Sequence, residues 1–276
     1  MLVLLSPAKS LDYESRLPTR KRSEPRLLDE SERLIEVMRG KSVADIAAMM
    51  GISEELAALN AQRYADFARP FTPKNARPAV LAFAGDVYQG MAVRRTWDER
   101  DYTEAQKTVR ILSGLYGVLR PLDLIQPYRL EMGKKLVTER GGSLYDFWGS
   151  TITALLRADL TAAPGYPAVL NLASGEYAAA VRARELGAKV ISPRFEDVDA
   201  RGGRGIVSFF AKRARGELAS WLVRNRVRSP RALKDFAEAG YRYDAQTSTP
   251  TVPVFVRRFE DRTGPAAPAQ AVTTQL

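Results

Sequence analysis

The chain has 276 residues, of which 45% are hydrophobic and 27% charged, as is typical of a globular protein with one core. It contains neither cysteine nor histidine. Disulfides, thiolate nucleophiles, Ser-His-Asp triads, iron–sulfur ligation and the usual zinc sites are therefore excluded. Any general acid or base has to be Asp, Glu, Lys or Tyr. We expect neither a cofactor nor a metal site.

Short apolar runs bounded by Gly, Pro, Ser or Asn predict strands along the chain. They cover residues 2–5, 79–83, 168–172, 189–192, 206–210 and 252–259. The first run lacks a basic flank and stops at Ser6-Pro7, so it predicts a buried strand and not a signal peptide. No run approaches the roughly 18 apolar residues of a membrane span. We expect a cytoplasmic protein without a membrane partner.

Helical patterns lie between the predicted strands. Apolar spacing predicts a helix over residues 29–38, and three capping signals predict further helix starts. These signals are Ser42-x-x-Asp45, Thr103-x-x-Gln106 before a helix over 103–112, and Ser143-x-x-Asp146 before a helix from 147 to 160. The alternation predicts a single α/β domain over residues 1–262, with a mixed sheet, flanking helices and an unusual topology. Residues 263–276 carry two prolines and few large apolar groups, which predicts a disordered tail.

Most of the formal charge of +10 is concentrated in one basic segment, residues 201–234, which contains ten Lys or Arg and one acid, Glu217. Such concentration is typical of a polyanion site, although a solvated helix face is the alternative. Several of these cations fall where we predict a helix start after the strand over 206–210, and a bound anion would stabilise them there. We assign five of them to a DNA-binding surface: Lys212, Arg213, Arg215, Arg224 and Arg226.

Two glycines follow the predicted helix over 103–112. In Ser113-Gly114-Leu115-Tyr116-Gly117, a tight hairpin would bring backbone N–H groups to a phosphate, with Arg120 as the completing cation. The alternative is structural, with Gly114 as a helix cap and Gly117 in a turn. Ser113, Gly114, Gly117 and Arg120 are therefore further candidates for DNA binding.

The segment Ser6-Pro7-Ala8-Lys9 has the S-x-x-K form of Ser–Lys acyl-transfer enzymes. The partner motifs of those enzymes are missing from the sequence. A Lys9 that binds phosphate or carboxylate at the end of a strand is the stronger interpretation, and a surface loop with a capping serine is the alternative.

Polar groups in apolar surroundings complete the candidate set. Residues 127–133 alternate apolar and ionisable side chains as a half-buried strand does, which puts Arg129 and Glu131 on one face. They can pair there, in either an architectural or a catalytic role. Ser174 and Tyr177 follow the predicted strand over 168–172, at the end where α/β folds gather ligands, although Ser174 alternatively caps a helix.

Seven motifs between residues 5 and 216 resemble those of the bacterial YaaA family, which is associated with peroxide stress, and the resemblance extends over residues 1 to about 260. They cover residues 5–13, 81–83 with 85–88, 112–124, 126–133, 147–149, 171–174 with 176–177, and 212–216.

The resemblance implies a mixed α/β domain with a positively charged cleft, a helix-hairpin-helix-like element and binding of double-stranded DNA. It also implies a role in limiting peroxide damage by lowering available iron and protecting DNA. The hairpin element would fall on Ser113, Gly114 and Gly117, and the basic side of the cleft on Lys212, Arg213 and Arg215. The two residues between the glycines, and Pro121 after them, depart from a standard hairpin module.

Three functions stay open at this point. The first is a peroxide-stress protein that grips the backbone of double-stranded DNA without strong sequence specificity. The second is an enzyme for a small anionic or nucleotide-like substrate. Its pocket would be lined by Lys9, Arg120, Arg129, Glu131, Ser174 and Tyr177. The third is a basic protein with incidental DNA affinity. Because imidazole and thiolate ligands are missing from the sequence, we expect any effect on iron to be indirect.

Overall fold

Two larger sheets and one small one organise the computed structural model, which describes residues 1–262. The predicted disordered tail, residues 263–276, lies outside the described residues. The strands within 1–262 are β1 (Leu2–Leu5), β2 (Arg77–Pro78), β3 (Val109–Ser113), β4 (Gly117–Leu119), β5 (Leu124–Ile125), β6 (Ala168–Asn171), β7 (Lys189–Ile191), β8 (Arg194–Val198), β9 (Arg204–Gly205), β10 (Arg242–Tyr243) and β11 (Val254–Arg257).

The helices surround these sheets in a mixed α/β arrangement, as the sequence predicts. Over the same residues they are α1 (Leu28–Arg39), α2 (Val43–Met50), α3 (Glu54–Asp66), α4 (Ala79–Ala82), α5 (Asp86–Met91), α6 (Val93–Thr96), α7 (Glu99–Thr108), α8 (Leu144–Trp148), α9 (Thr151–Ala162), α10 (Gly175–Ala178) and α11 (Ser208–Arg224). Short 3-10 helices cover Ala183–Glu185, Pro230–Asp235 and Glu238–Gly240. Across residues 1–262, every helix is too short or too polar to traverse a lipid bilayer.

The main sheet has the order β4-β3-β1-β6-β7. β1 runs parallel to both β3 and β6, β6 runs parallel to β7, and the edge strand β4 is antiparallel to β3. Every residue of β1 is apolar and buried, as a central strand covered on both faces requires. Because β1, β3 and β6 are parallel, their carboxyl ends meet at one edge of the sheet.

A second sheet has the order β10-β11-β8-β9, with β11 and β8 parallel. Phe195 of β8 stacks on Phe255 of β11 with ring centroids 5.3 Å apart. Phe236 and Tyr241 pack edge-on against Phe195, so this sheet covers an aromatic cluster of its own. The third sheet is the short antiparallel pair β2-β5.

Four predicted strands are confirmed, namely β1, β6, β7 and β11. The capping box at Ser42 is confirmed as well, and the Ser143 hydroxyl accepts a hydrogen bond from the Asp146 N–H at the start of α8. Two other strand predictions are wrong, because residues 79–82 form helix α4 and α11 begins at Ser208. Both runs are nearly all apolar, so their periodicity does not distinguish a strand from a buried helix.

The prediction of a helix over 103–112 is also wrong. The helix α7 starts earlier, at the capping box of Asp98 and Asp101, and ends at Thr108, after which the chain enters β3. The Thr103 hydroxyl donates to the Glu99 carbonyl inside α7 and does not cap the start of a helix. The glycines that follow therefore connect two antiparallel strands, β3 and β4, where a helix-hairpin-helix was expected.

This β-hairpin lies in the protein interior. Ser113 is fully buried, and its hydroxyl accepts a hydrogen bond from the Tyr116 N–H. Gly117 has a φ of 65°, and a Cβ there would lie 2.9 Å from the Trp148 ring. A Cβ on Gly114 would lie 2.2 Å from the Leu130 carbonyl oxygen. Gly117 therefore lies in a tight turn, which is the structural alternative predicted from the sequence, and Gly114 permits close packing against Leu130.

Candidate functional site

A cavity of about 430 Å³ opens at the carboxyl ends of β1 and β6, and we call it the site cavity. Its volume falls in the range typical of small-molecule sites. Four stretches that are distant in sequence line it: residues 6–10, 85–88, 128–131 and 172–177, together with Lys212 and Arg215 of α11.

Two serines join the ends of β1 and β6. The Ser174 N–H donates to the Ser6 hydroxyl oxygen at 2.9 Å, and the Ser6 hydroxyl donates to the Ser174 hydroxyl at 3.3 Å. Ser174 precedes α10, but its side chain forms no capping hydrogen bond. The Tyr88 hydroxyl donates to the Ser6 carbonyl at 2.9 Å. The serine hydroxyls thus face each other, and the Ser6–Lys9 pair of an acyl-transfer enzyme is not formed.

A buried carboxylate lies between two cations on the wall of the cavity. Glu131 Oε1 is 3.2 Å from Lys9 Nζ and 3.3 Å from a terminal nitrogen of Arg129. The Glu131 side chain is only 8% exposed, whereas that of Lys9 is 66% exposed. Glu131 Oε2 and Arg129 Nε are buried and have no hydrogen-bond partner within the described residues. Such orphaned atoms are costly unless something else satisfies them, and both belong to groups that line the cavity.

The segment that carries this pair is irregular, so the prediction of a half-buried strand over 127–133 is wrong. It is nevertheless well anchored. The Tyr64 hydroxyl donates to the Arg129 carbonyl, and the Gly133 N–H donates to Glu176 Oε1 at 2.9 Å. Arg129 and Glu131 pair as the sequence predicts, but loop contacts position them and a sheet does not.

Three phenols close the apolar side of the cavity. Tyr88, Tyr128 and Tyr177 are all buried, and burial raises the pKa of each phenol above its ordinary value. They are therefore protonated at neutral pH, and the O–H of Tyr88 is donated to the Ser6 carbonyl. The Tyr128 hydroxyl shares a 2.7 Å hydrogen bond with the Ser113 hydroxyl, which gives that predicted residue a supporting position behind the cavity.

The close packing of α11 on α5 brings two cations of the basic segment to the cavity. A Cβ on Gly216 would lie 1.8 Å from the Val87 carbonyl oxygen, and a Cβ on Gly90 would lie 2.1 Å from the Arg213 carbonyl oxygen. Only glycine permits this approach of two helix backbones. Lys212 lies in the second turn of α11, whereas we predicted from the sequence that its charge would lie at the helix start.

Arg215 is the least compensated cation in the cavity. Within residues 1–262 no hydrogen bond or salt bridge engages its guanidinium, and burial alone lowers its pKa below the ordinary value. Lys212, in contrast, is 53% exposed and has Asp86 at 3.9 Å. A half-buried cation without a counter-ion provides an attractive position for a bound anion.

The structure thus brings together seven of the candidates: Lys9, Arg129, Glu131, Ser174, Tyr177, Lys212 and Arg215. The remaining DNA-binding candidates lie elsewhere. Ser113, Gly114 and Gly117 are buried in the β-hairpin, so they present no backbone to a duplex. Arg120 forms a salt bridge with Asp123 at 2.8 Å.

The basic segment does not form one continuous face. Arg213 lies next to the cavity residues and contacts Gln89 of α5. Arg224 is exposed at the far end of α11, about 13 Å from Arg215 at 1.5 Å per residue. Arg226 is paired with Asp101 at 2.6 Å. Long-range ion pairs and separation along the helix therefore divide the charge that is contiguous in sequence.

Four site residues were not among the sequence candidates, namely Asp86, Tyr88, Tyr128 and Glu176. Each lies within a motif already singled out: Asp86 and Tyr88 follow Gly85, Tyr128 precedes Arg129, and Glu176 follows Ser174. With them the cavity holds four cations and three carboxylates, so its lining is mixed in charge. Residues 1–262 place no group of three or more carboxylates where they could jointly hold a metal ion.

Comparison with known proteins decides the family. Residues 1–247 match the family model described as peroxide stress protein YaaA. The chain belongs to the YaaA family. The family's name supports a role in peroxide stress.

Curated relatives of this YaaA-family chain are of nearly the same length. It is 53% identical over 261 residues to a UPF0246 protein of Tolumonas auensis, covering 95% of this chain and 99% of that protein. It is 50% identical over 257 residues to a UPF0246 protein of Alcanivorax borkumensis, covering 93% of this chain and 98% of that protein.

Proposed function

We propose that this YaaA-family chain acts in peroxide stress by binding double-stranded DNA across the mouth of the site cavity. The contacts are to backbone phosphates and carry no strong sequence specificity. The observation behind the proposal is the guanidinium of Arg215, for which residues 1–262 provide no counter-ion. It lines the same cavity as the exposed ammonium groups of Lys9 and Lys212.

Phosphate is the anion that suits these groups best. Arg offers a planar fork of donors to phosphate, and Lys offers a flexible point charge at the rim. The formal charge of +10 attracts a polyanion from a distance, and the rim cations then hold it. Because the wall of the cavity also carries carboxylates, a duplex would contact the rim and leave the interior to smaller groups.

The same contacts account for a protective effect without a metal site. Fenton chemistry damages DNA where iron binds to phosphate, and protein cations on those phosphates displace the metal locally. The chain lacks His and Cys, so a carboxylate-only iron site in it would be weak and poorly selective. Shielding of DNA is therefore the route by which this chain lowers iron damage.

The test is the salt dependence of DNA binding. We expect the triple variant Lys212→Ala/Arg213→Ala/Arg215→Ala to reduce the slope of log K against log salt by about two to three units. Fluorescence anisotropy with two unrelated duplexes measures the slope and the lack of sequence preference. The matched control removes three exposed arginines away from the cavity, Arg157, Arg184 and Arg258. An equal fall in slope for both triple variants would show that DNA responds only to net charge.

A second function, an enzyme for a small anionic or nucleotide-like substrate, is favoured by the orphaned atoms Glu131 Oε2 and Arg129 Nε. Lys9 and Arg129 hold the Glu131 carboxylate through Oε1, and within the described residues the buried Oε2 has no hydrogen-bond partner. In that role Glu131 would accept a proton or hydrogen bond, Arg215 would hold the anionic group, and Ser6 and Ser174 would supply hydroxyls. The enclosed volume suits such a ligand better than it suits a duplex.

Thermal-shift screening tests this second function. A ligand at 100 times its Kd stabilises the folded protein by about 2.7 kcal/mol, which is readily detected. We expect Glu131→Gln to remove the shift, and Asp29→Asn, an exposed carboxylate outside the cavity, to preserve it. If nucleotides, amino acids and acyl-adenylates all leave the melting temperature unchanged, the enzyme interpretation fails, whatever the outcome with DNA.

A further inference from the structure

A second and larger cavity, of about 740 Å³, lies on another part of the molecule, and we call it the edge cavity. It is bounded by the edge strand β7, the 3-10 helix Pro230–Asp235, β10 and the loop over residues 248–253. It shares no lining residue with the site cavity. It includes Arg231 and Lys234, two cations of the basic segment to which the proposed function gives no role.

The charge of the edge cavity has one sign. Lys189, Arg231 and Lys234 line it, all three are exposed, and the lining, all within residues 1–262, contains no Asp or Glu. The site cavity differs, since carboxylates accompany its cations. Three cations without an internal counter-charge favour an anion, and their flexible side chains can converge on one phosphate group.

Flat aromatic surfaces accompany this charge. Tyr166 is 52% exposed, which is unusual for a large aromatic side chain, and Tyr243 is half-buried on β10. The Lys234 ammonium lies 5.7 Å from the centroid of the Tyr243 ring, so a cation and a ring face already share one side of the cavity. Aromatic faces next to cations are the usual means of holding a nucleobase and its phosphate together.

The hydroxyl groups of the cavity are mostly occupied by the backbone. Ser229 Oγ accepts from the Arg231 N–H, Ser248 Oγ accepts from the Val254 N–H, and Thr249 Oγ1 accepts from the Val252 N–H. These contacts, together with Pro230, shape the walls and leave the cations and the tyrosine rings as the groups available to a ligand.

We propose that the edge cavity is a nucleotide site, in which Lys189, Arg231 and Lys234 bind the phosphates and the tyrosine rings stack on the base. This inference is independent of the function proposed for the site cavity, because the two cavities share no residue. It assigns the chain a ligand that carries a phosphate and an unpaired base, either a free nucleotide or the end of a strand.

Isothermal titration of the full chain with ATP tests the proposal. We expect saturable binding of one equivalent, weakened at least about tenfold by Lys189→Ala/Arg231→Ala/Lys234→Ala. Because the Tyr166 ring would stack on the base, Tyr166→Ala should lower the affinity for ATP by about fivefold or more. The same variant should bind inorganic triphosphate, which lacks a base, with unchanged affinity. A short oligodeoxythymidylate in a parallel titration shows whether a strand end is also accepted.

Three comparisons keep the result interpretable. The control Arg157→Ala/Arg184→Ala/Arg258→Ala removes the same charge elsewhere and should leave ATP affinity within about twofold. Loss of ATP binding in Lys212→Ala/Arg215→Ala, with affinity retained in the edge-cavity variant, would move the nucleotide to the site cavity and overturn the proposal. Equal affinity for ATP and inorganic triphosphate, or no binding of ATP, would overturn it as well. The DNA salt slope is measured separately, so either proposal can fail alone.

Discussion

Substitution of Gly216 by Ala tests the helix contact that places Lys212 and Arg215 at the site cavity. A Cβ at this position would lie 1.8 Å from the Val87 carbonyl oxygen and 2.8 Å from the Met91 nitrogen. Both neighbours are backbone atoms of α5, so no side chain can rotate away. To reach even 3.0 Å from the carbonyl oxygen, α11 has to move about 1.2 Å away from α5.

Two effects on the free energy of unfolding oppose each other in this variant, and their magnitudes decide whether the substitution stabilises or destabilises the protein. Helix propensity alone predicts that Gly→Ala in the middle of α11 stabilises the protein by about 1 kcal/mol. Overpacking of a tight core contact typically costs about 1–3 kcal/mol, and we expect the upper end because two helix backbones must separate. The net expectation is a destabilisation of about 2 kcal/mol, or about 4–8 °C in Tm for a chain of this size.

Urea unfolding followed by circular dichroism measures the change. Ala154→Gly, at an exposed position of α9, calibrates the propensity and should cost about 1 kcal/mol. Gly142→Ala, where a Cβ meets nothing within 4 Å, should change stability by less than about 0.5 kcal/mol. Gly216→Ala should also weaken DNA binding, because it displaces two rim cations. A variant as stable as the parent chain would refute the close contact of α11 and α5.

Two further predictions concern ion pairs. Asp159→Asn should destabilise the fold by about 3 kcal/mol, as measured by urea unfolding. Asp159 bridges Arg26 and the buried Arg110, so the substitution would leave the Arg110 guanidinium without its carboxylate. A loss of less than about 1 kcal/mol would contradict this reasoning. Hydrogen bonds from Thr247 and Arg204 lower the pKa of Asp244 from 3.8 to about 2. Its stabilising contribution is therefore complete above pH 3.8 and lost as the pH falls towards 2, so Asp244→Asn should flatten the fall of Tm over that window and leave its slope above pH 5 unchanged.

Local signals in the sequence sufficed where neighbouring residues decide the structure. The Ser42 hydroxyl caps α2 with Asp45 in return, and this contact spans only three residues. The run Leu2–Leu5 is uniformly apolar, so its composition indicates burial on both faces, although its strand partners lie more than 100 residues away. The family also follows from the sequence alone, since dense motifs along the chain identify it without any knowledge of the fold.

The prediction of secondary structure from the sequence failed where the local pattern fits both a helix and a strand. Residues 79–82 form a helix, although their apolar composition fits a buried strand equally well. The glycines at 114 and 117 fit a turn between helices or between strands, and the pairing of β3 with β4 decides for strands. Such choices depend on which element packs alongside, and a short sequence window contains no information about that.

The site itself required the tertiary structure. Ser6 and Ser174 are 168 residues apart and meet because β1 and β6 are parallel neighbours with their carboxyl ends at one edge. The tertiary structure also decides which cations remain available to a ligand. Arg226 forms an ion pair with Asp101, 125 residues away in sequence, whereas Arg215 has no partner among the described residues. Composition and order along the chain determined the charge and the motifs, but only folding brings each charge to its neighbour, because electrostatic partners are chosen by distance in space.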